Sequence, residues 1–203
     1  AAYEIIAYEL YLCTSEPAAP TTTAAMDLSS CYKNWELSSG ATLSVQQNAT
    51  VDVPGTMTRP PNGTYTHGVM LIDNSFGITA SLQFDEAVTD QDGNSGVYCG
   101  TKSGSGTYGT GAVPSGTSEC GASEITAGKF TELLTSFDSG SFQGTAEGEN
   151  LNGTSASIKG YLIDTNSYLA ENDADVDKLI GAATFASPVN FTETTSTITM
   201  SFN

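Results

Sequence analysis

Positively charged side chains are scarce in this sequence, which has six lysines and arginines against 23 aspartates and glutamates. The formal net charge over 203 residues is therefore −17. A chain this acidic repels the phosphates of nucleic acids and the anionic head groups of lipids. We expect no nucleic acid partner and no membrane insertion, and we expect cations as small partners.

Histidine and catalytic motifs are also nearly absent. His67 is the only histidine, so a catalytic relay or a two-histidine metal site has to include it. It lies among alternating apolar residues, which is typical of a packed strand histidine. Residues 104–109 match GxGxxG, but no βαβ pattern surrounds them. The sequence therefore predicts no enzyme and no catalytic residue. An extracellular hydrolase that uses two carboxylates is our third alternative for the function.

Long apolar runs are missing as well, whereas a two-residue alternation of apolar and polar residues is common. The most strand-like stretch is residues 64–84, in which turn residues 73–75 separate two alternating runs. We predict a central β-hairpin there and a single short helix over residues 125–137. Further strands are predicted at residues 3–13, 41–53, 97–99, 156–163, 179–185 (before a break at Pro188) and 191–203.

No internal repeat and no linker divides the sequence. The predicted fold class is all-β, with one β-sandwich domain, Ig-like or jelly-roll-like, over residues 1–203. We expect at most one or two short helices and two disulfides.

The four cysteines lack the CxxC spacing of zinc ribbons and redox motifs. Three connectivities are open, and we favour Cys13–Cys31 with Cys99–Cys120 because each pair closes a short, turn-rich loop. Each such loop contributes about 3 kcal/mol in the chain-entropy model. Because disulfides persist in oxidising compartments, we expect an extracellular or cell-surface protein that is exported through a cleaved signal peptide.

One loop has the composition of a calcium site. Asp90, Asp92 and Asn94 supply alternating oxygen ligands, and Gly93 supplies the central glycine, but the bidentate glutamate of an EF-hand is missing. A plain Asp-Gly turn is the alternative. Ca²⁺ is thus the one cofactor that the sequence suggests.

Four Asn-X-Thr sequons are candidate glycosylation sites if the host glycosylates exported proteins. They begin at Asn48, Asn62, Asn152 and Asn190.

The first strand is unusually apolar. It either pairs within its own sheet or completes the sheet of a neighbouring subunit, in which case residues 1–12 form a donor strand. The residues that would act in assembly are Tyr3, Ile5, Ile6, Ala7, Tyr8 and Leu10.

Residues 8–15, YELYLCTS, followed by Cys31 and by GTYTH at residues 63–67, resemble uncharacterised exported proteins of marine bacteria. The resemblance covers about residues 1–85 and implies export, without naming site residues. The layout, with a strand at each end of the sequence, is similar to that of donor-strand pilins.

The leading hypothesis is a structural subunit of an extracellular, pilus-like filament or of a surface layer. Identical subunits would form a homopolymer by β-strand donation. The alternative is a secreted carbohydrate-binding or adhesin module, which would bind glycans through aromatic residues such as Trp35, Tyr98 and Tyr108.

Overall fold

The computed structural model describes residues 1–46, 52–109, 116–149 and 155–195. Nearly all regular structure in these ranges is β-strand, with short 3₁₀ turns at Asp138–Gly140 and Asp173–Asp175. The predicted all-β class is therefore confirmed. The strands are β1 (Ala2–Cys13), β2 (Cys31–Gln46), β3 (Thr56–Met57), β4 (Gly63–Asp73), β5 (Ser75–Thr79), β6 (Ser81–Thr89), β7 (Ser95–Thr101), β8 (Gly104–Tyr108), β9 (Ser118–Gly121), β10 (Phe130–Leu134), β11 (Gln143–Glu149), β12 (Ser155–Ile163) and β13 (Lys178–Phe191).

The chain divides into two compact units, each assembled from three segments. The prediction of one domain over the whole chain is not tested by this division and stays a prediction. Unit 1 comprises Ala1–Ile6, Thr42–Val53 and Asp73–Ser141, and unit 2 comprises Ala7–Ala41, Pro54–Ile72 and Phe142–Asn203.

Unit 2 is built on neighbouring strands in the order β11-β12-β13-β4-β1. Successive side chains of a strand point to opposite faces. Leu162 and Ile163 are adjacent in β12 and both are buried, so β12 is covered on both faces. The main core cluster of this unit consists of Tyr11, Cys13, Met26, Val69, Tyr161, Ile163, Ile180 and Ala182.

Unit 1 contains strands of two sheets, and the sheets have a sandwich-like arrangement that agrees with the predicted all-β class. In one sheet, β5 pairs with Ala2–Glu4 of β1 and with β10, and β10 pairs in parallel with β8. The other sheet has the order β6-β7-β9. Its edge strand β6 is exposed along almost its whole length.

Both predicted disulfides are present, and no cysteine is free. Cys13–Cys31 joins the last residue of β1 to the first residue of β2. Cys99 and Cys120 lie opposite each other on β7 and β9. The predicted pairing is confirmed, and two disulfides indicate an oxidising, extracellular or exported environment.

The predicted hairpin over residues 64–84 is wrong. β4 and β5 do not pair with each other, because both run antiparallel to β1. Residues 73–75 form a local turn without reversing the chain: the Asp73 carboxylate accepts hydrogen bonds from the backbone N–H and the hydroxyl of Ser75.

The predicted helix over residues 125–137 is also wrong. Phe130, Leu133 and Leu134 fall at helical spacing, but the segment forms β10, with β5 on one side and β8 on the other. Its backbone groups are satisfied by two neighbouring strands instead of by a helix.

The break predicted at Pro188 does not occur, since β13 continues through it to Phe191. The register with β12 ends at Ala183, and a strand edge tolerates the missing N–H of proline. Residues 196–203 of the predicted last strand lie outside the described residues.

Candidate functional site

β1 carries the predicted assembly residues, and in the structure it pairs within its own chain. Residues Ala7–Cys13 pair with β4, Ala2–Glu4 pair with β5, and β2 also pairs with β1. Donation of β1 to another subunit is not tested by these contacts and stays a prediction. Tyr3 is exposed at 55%, Ala7 is buried at 1%, and the remaining assembly residues Ile5, Ile6, Tyr8 and Leu10 are half-buried.

Two ion pairs hold β1 to its surroundings. In unit 1, Lys129 Nζ lies 2.8 Å from Glu4 Oε1. In unit 2, Lys33 Nζ lies 2.6 Å from Glu9 Oε1 and 2.9 Å from Glu36 Oε2. Partly exposed pairs of this kind contribute about 0–1 kcal/mol each to stability.

Glu9, Tyr11, Lys33 and Glu36 form one group, the Tyr11 cluster. The Tyr11 hydroxyl donates to Glu9 Oε2 at 2.5 Å, and Lys33 Nζ lies 5.6 Å from the centre of the Tyr11 ring. Burial, followed by the hydrogen bond to Glu9, raises the pKa of Tyr11 to about 12. Hydrogen bonds to Glu9 and then Glu36 raise the pKa of Lys33 above its usual value.

All six basic side chains of the sequence are engaged in the structure. Arg59 donates to the Pro60 and Thr192 carbonyls and to the Asn62 side chain. Each lysine is paired with a carboxylate. The pairs are Lys33 with Glu9 and Glu36, Lys102 with Asp92, Lys129 with Glu4, Lys159 with Glu16, and Lys178 with Asp177.

The predicted calcium loop forms an Asp-Gly turn between β6 and β7. Asp90 Oδ1 accepts from the N–H groups of Asp92 and Asn94, both at 2.9 Å, and Oδ2 accepts from Asn94 Nδ2 and Cys120 N, both at 3.0 Å. Burial acts to raise the pKa of Asp90, but these hydrogen bonds outweigh it and lower the pKa.

Asp92, the second predicted ligand, has Oδ2 3.0 Å from Lys102 Nζ. Within the described ranges, no group of three His, Cys, Asp or Glu side chains is arranged to hold a metal. Calcium binding at Asp90, Asp92 and Asn94 is not tested and stays a prediction.

Of the aromatic residues suggested for glycan binding, Trp35 is unsuitable. It is 4% exposed, and its indole N–H donates to the Pro54 carbonyl at 3.0 Å. Tyr98 is half-buried in β7, and the Tyr108 hydroxyl donates to Asp138 Oδ1 at 2.5 Å. His67 Nδ1 lies 2.8 Å from Thr66 Oγ1 in β4.

Sequence reasoning missed an apolar groove of about 320 Å³ beside β6, in unit 1. Leu82 and Phe84 line it and are 61% and 38% exposed, and the Cys99–Cys120 disulfide forms another part of the lining. The alternation of residues 76–84 matches a buried strand, so no sequence signal distinguishes this exposed one. An open apolar patch on an edge strand favours association with another chain.

Two of the four sequons lie in described residues. Asn62 and Asn190 are both exposed and belong to unit 2, whereas Asn48 and Asn152 lie outside the described residues.

The structure defines this chain as a disulfide-linked all-β protein, and the comparisons with known proteins do not narrow that class. In the described part of the chain, no helix has the length and apolar character needed to cross a membrane. No protein-family model, curated protein or solved structure matches the sequence.

Proposed function

We propose that this protein is a structural subunit of an extracellular filament or surface layer, in which identical subunits assemble by exchanging the N-terminal part of β1. The supporting observation is the pairing of β1. This apolar strand, the first of the sequence, forms antiparallel ladders with both β4 and β5. Withdrawal of β1 leaves the backbone groups of its neighbours without partners and exposes apolar side chains. The β1 of a second copy offers the same residues in the same register.

The Cys13–Cys31 disulfide limits how much of β1 is exchanged. Cys13 is tied to β2 of its own chain, so the exchanged part precedes it. We place this part at residues 1–6, which include the ladder of Ala2–Glu4 with β5. In the polymer, the Glu4–Lys129 ion pair then joins two subunits.

Other features support an assembly outside the cell. Two disulfides are typical of proteins in an oxidising environment outside the cytosol. The exposed apolar edge strand β6 offers a second surface for association. We further propose export through a cleaved signal peptide, with Ca²⁺ as a cation that reduces the repulsion between subunits.

A disulfide-trapping experiment tests strand exchange. Ala2 of β1 and Thr79 of β5 are directly opposite in the register, so Ala2→Cys combined with Thr79→Cys places two thiols together. The doubly substituted protein is assembled, oxidised and run on a non-reducing denaturing gel. Exchange gives a covalent ladder of dimers, trimers and longer species, because each new bond joins two chains.

The matched control places cysteines on two strands that we do not expect to exchange. Glu147 and Ser157 are opposite on β11 and β12, so Glu147→Cys with Ser157→Cys gives a bond within one chain. Ala2→Cys alone reports random cross-linking. If the Ala2/Thr79 pair gives only monomers, as the control does, exchange of β1 is excluded.

The alternative function is a secreted carbohydrate-binding or adhesin module. With Trp35 buried, Tyr98 and Tyr108 remain as its candidate contacts. Monomers in the trapping experiment, together with glycan binding that Tyr108→Ala abolishes, would favour this alternative over the filament.

A further inference from the structure

Two sequons that are far apart in the sequence meet on neighbouring strands of unit 2. Asn62-Gly63-Thr64 leads into β4, and Asn190-Phe191-Thr192 ends β13. The Thr64 hydroxyl of the first sequon donates to Asn190 Oδ1 of the second at 2.6 Å, across 126 residues of sequence. All four Asn and Thr side chains of the two sequons are exposed.

Arg59 connects the two sequons a second time. Its Nη2 donates to Asn62 Oδ1 at 2.7 Å and to the Thr192 carbonyl at 2.6 Å. Because a guanidinium can only donate, Asn62 has to present its oxygen to Arg59. The Asn62 amide nitrogen therefore points away from Arg59, and in the described part of the chain no hydrogen bond engages it.

An aromatic pair fixes the base of this surface. Phe191, the middle residue of the second sequon, packs edge-on against Tyr65, with ring centres 5.4 Å apart and an interplanar angle of 88°. Both residues are 4% exposed, and the Tyr65 hydroxyl donates to the Pro61 carbonyl. Because side chains alternate along a strand, burial of Phe191 turns Asn190 outward.

We propose that Asn62 and Asn190 form a paired acceptor site for N-linked glycans. The co-reactant is a polyprenyl-diphosphate-linked oligosaccharide, supplied with its transferase. Asn Nδ2 forms a bond to the anomeric carbon of the first sugar and loses one proton, and the lipid diphosphate leaves with the electrons of the broken C–O bond. The product is still an amide, so each Oδ1 keeps its native hydrogen bond from Arg59 or Thr64.

The glycans would cover a defined area. Residues 186–190 of β13 are exposed, including Val189 at 38%. Two sugar chains attached to adjacent strands would shield residues 186–190 from proteases and from other protein molecules. The site stands on its own contacts and does not depend on the filament proposal.

The test uses the full chain secreted by a eukaryotic host that N-glycosylates. Peptide N-glycosidase in ¹⁸O-water marks each formerly glycosylated asparagine, and peptide mass spectrometry locates the marks. We expect marks at both Asn62 and Asn190 in protein with intact disulfides. If either asparagine is unmarked in the folded secreted protein, the paired site is excluded.

Substitutions at Thr64 test whether glycosylation of Asn62 requires the Thr64 hydroxyl. Thr64→Ser keeps the hydroxyl and should leave both glycans, whereas Thr64→Val should remove only the Asn62 glycan. Asn166→Gln, an exposed asparagine outside any sequon, serves as the control and should change neither site. Loss of both glycans in Thr64→Ser would overturn the proposal, because that variant preserves the sequon and the bond to Asn190.

Discussion

Tyr11 illustrates how one buried hydroxyl group constrains the charges around it. Its ring belongs to the core of unit 2, while its hydroxyl binds Glu9. Ionisation of Tyr11 places a negative charge in a poorly solvated position beside a carboxylate, so the folded protein resists it. The unfolded chain, in which the phenol has its usual pKa near 10, ionises at lower pH.

Alkaline pH should destabilise the protein through Tyr11. The raised pKa of Tyr11 contributes stability that is complete below about pH 10 and is lost as pH rises through the folded pKa of about 12. We expect the melting temperature to fall with pH in this window and Tyr11→Phe to flatten the slope. Lys33 adds a loss of the same sign, because its folded pKa is also raised.

Calorimetry or circular dichroism of the wild type and Tyr11→Phe, from about pH 9 to pH 11, tests this prediction. Tyr3→Phe is the control, because it removes a phenol hydroxyl from a side chain that is 55% exposed. Equal slopes for the wild type and Tyr11→Phe would contradict the prediction.

Some residue-level features could be predicted from the sequence. The two cysteine pairs were accessible because each closes a short loop, which is local information. The burial of Trp35 was not, since its indole N–H pairs with the Pro54 carbonyl, 19 residues away. The same limit applies to Asn190, whose partner Thr64 is 126 residues distant.

Among the secondary-structure elements, alternation identified strands well but did not identify their partners. Residues 64–84 form strands, as predicted, yet β4 and β5 both pair with β1 instead of with each other. The buried Asn74 side chain donates to the Leu134 carbonyl, which joins the turn at residues 73–75 to β10. A local sequence pattern carries no information about a contact across 60 residues. For the same reason, the spacing of residues 125–137 predicts a helix where the protein forms β10.

The turn at Asp90–Asn94 carries a prediction about calcium. If the loop binds Ca²⁺, chelation lowers the melting temperature of the wild type, because a ligand that binds only the folded state stabilises it by mass action. Asp92→Ala should then remove most of the response to added Ca²⁺. A differential scanning measurement with and without chelator detects both effects.

Lys102→Met is the matched control for the calcium loop. It breaks the same ion pair as Asp92→Ala but keeps the carboxylate that would bind the metal. The response to Ca²⁺ should survive in Lys102→Met. If chelator has no effect on the wild type in low-calcium buffer, the loop is only the Asp-Gly turn.

On the scale of the whole molecule, charge opposes any assembly of identical chains. The net charge is −17, and every basic side chain already has a partner in its own chain. Two approaching subunits therefore repel each other unless counterions screen them. At physiological ionic strength the screening length is about 8 Å, so neighbouring surfaces still interact.

We therefore expect assembly to increase with ionic strength, and Ca²⁺ to act at a lower concentration than Na⁺. Light scattering or sedimentation of the purified protein across a salt series measures this. Asp85→Asn with Glu86→Gln, on the exposed edge strand β6, should shift assembly to lower salt. Polymers that dissolve as salt is added would contradict the expectation.

The positions of the six basic residues in the fold also affect how readily proteases cut the protein. Trypsin-like proteases cut after lysine or arginine, in exposed segments that can leave the fold. Arg59 precedes Pro60, and such enzymes cut a bond before proline poorly. Lys33, Lys159 and Lys178 lie within strands, and Lys102 and Lys129 directly adjoin β7 and β10. Proteases of this specificity therefore have few accessible cleavage sites, and the protein should resist them as long as its sheets remain folded.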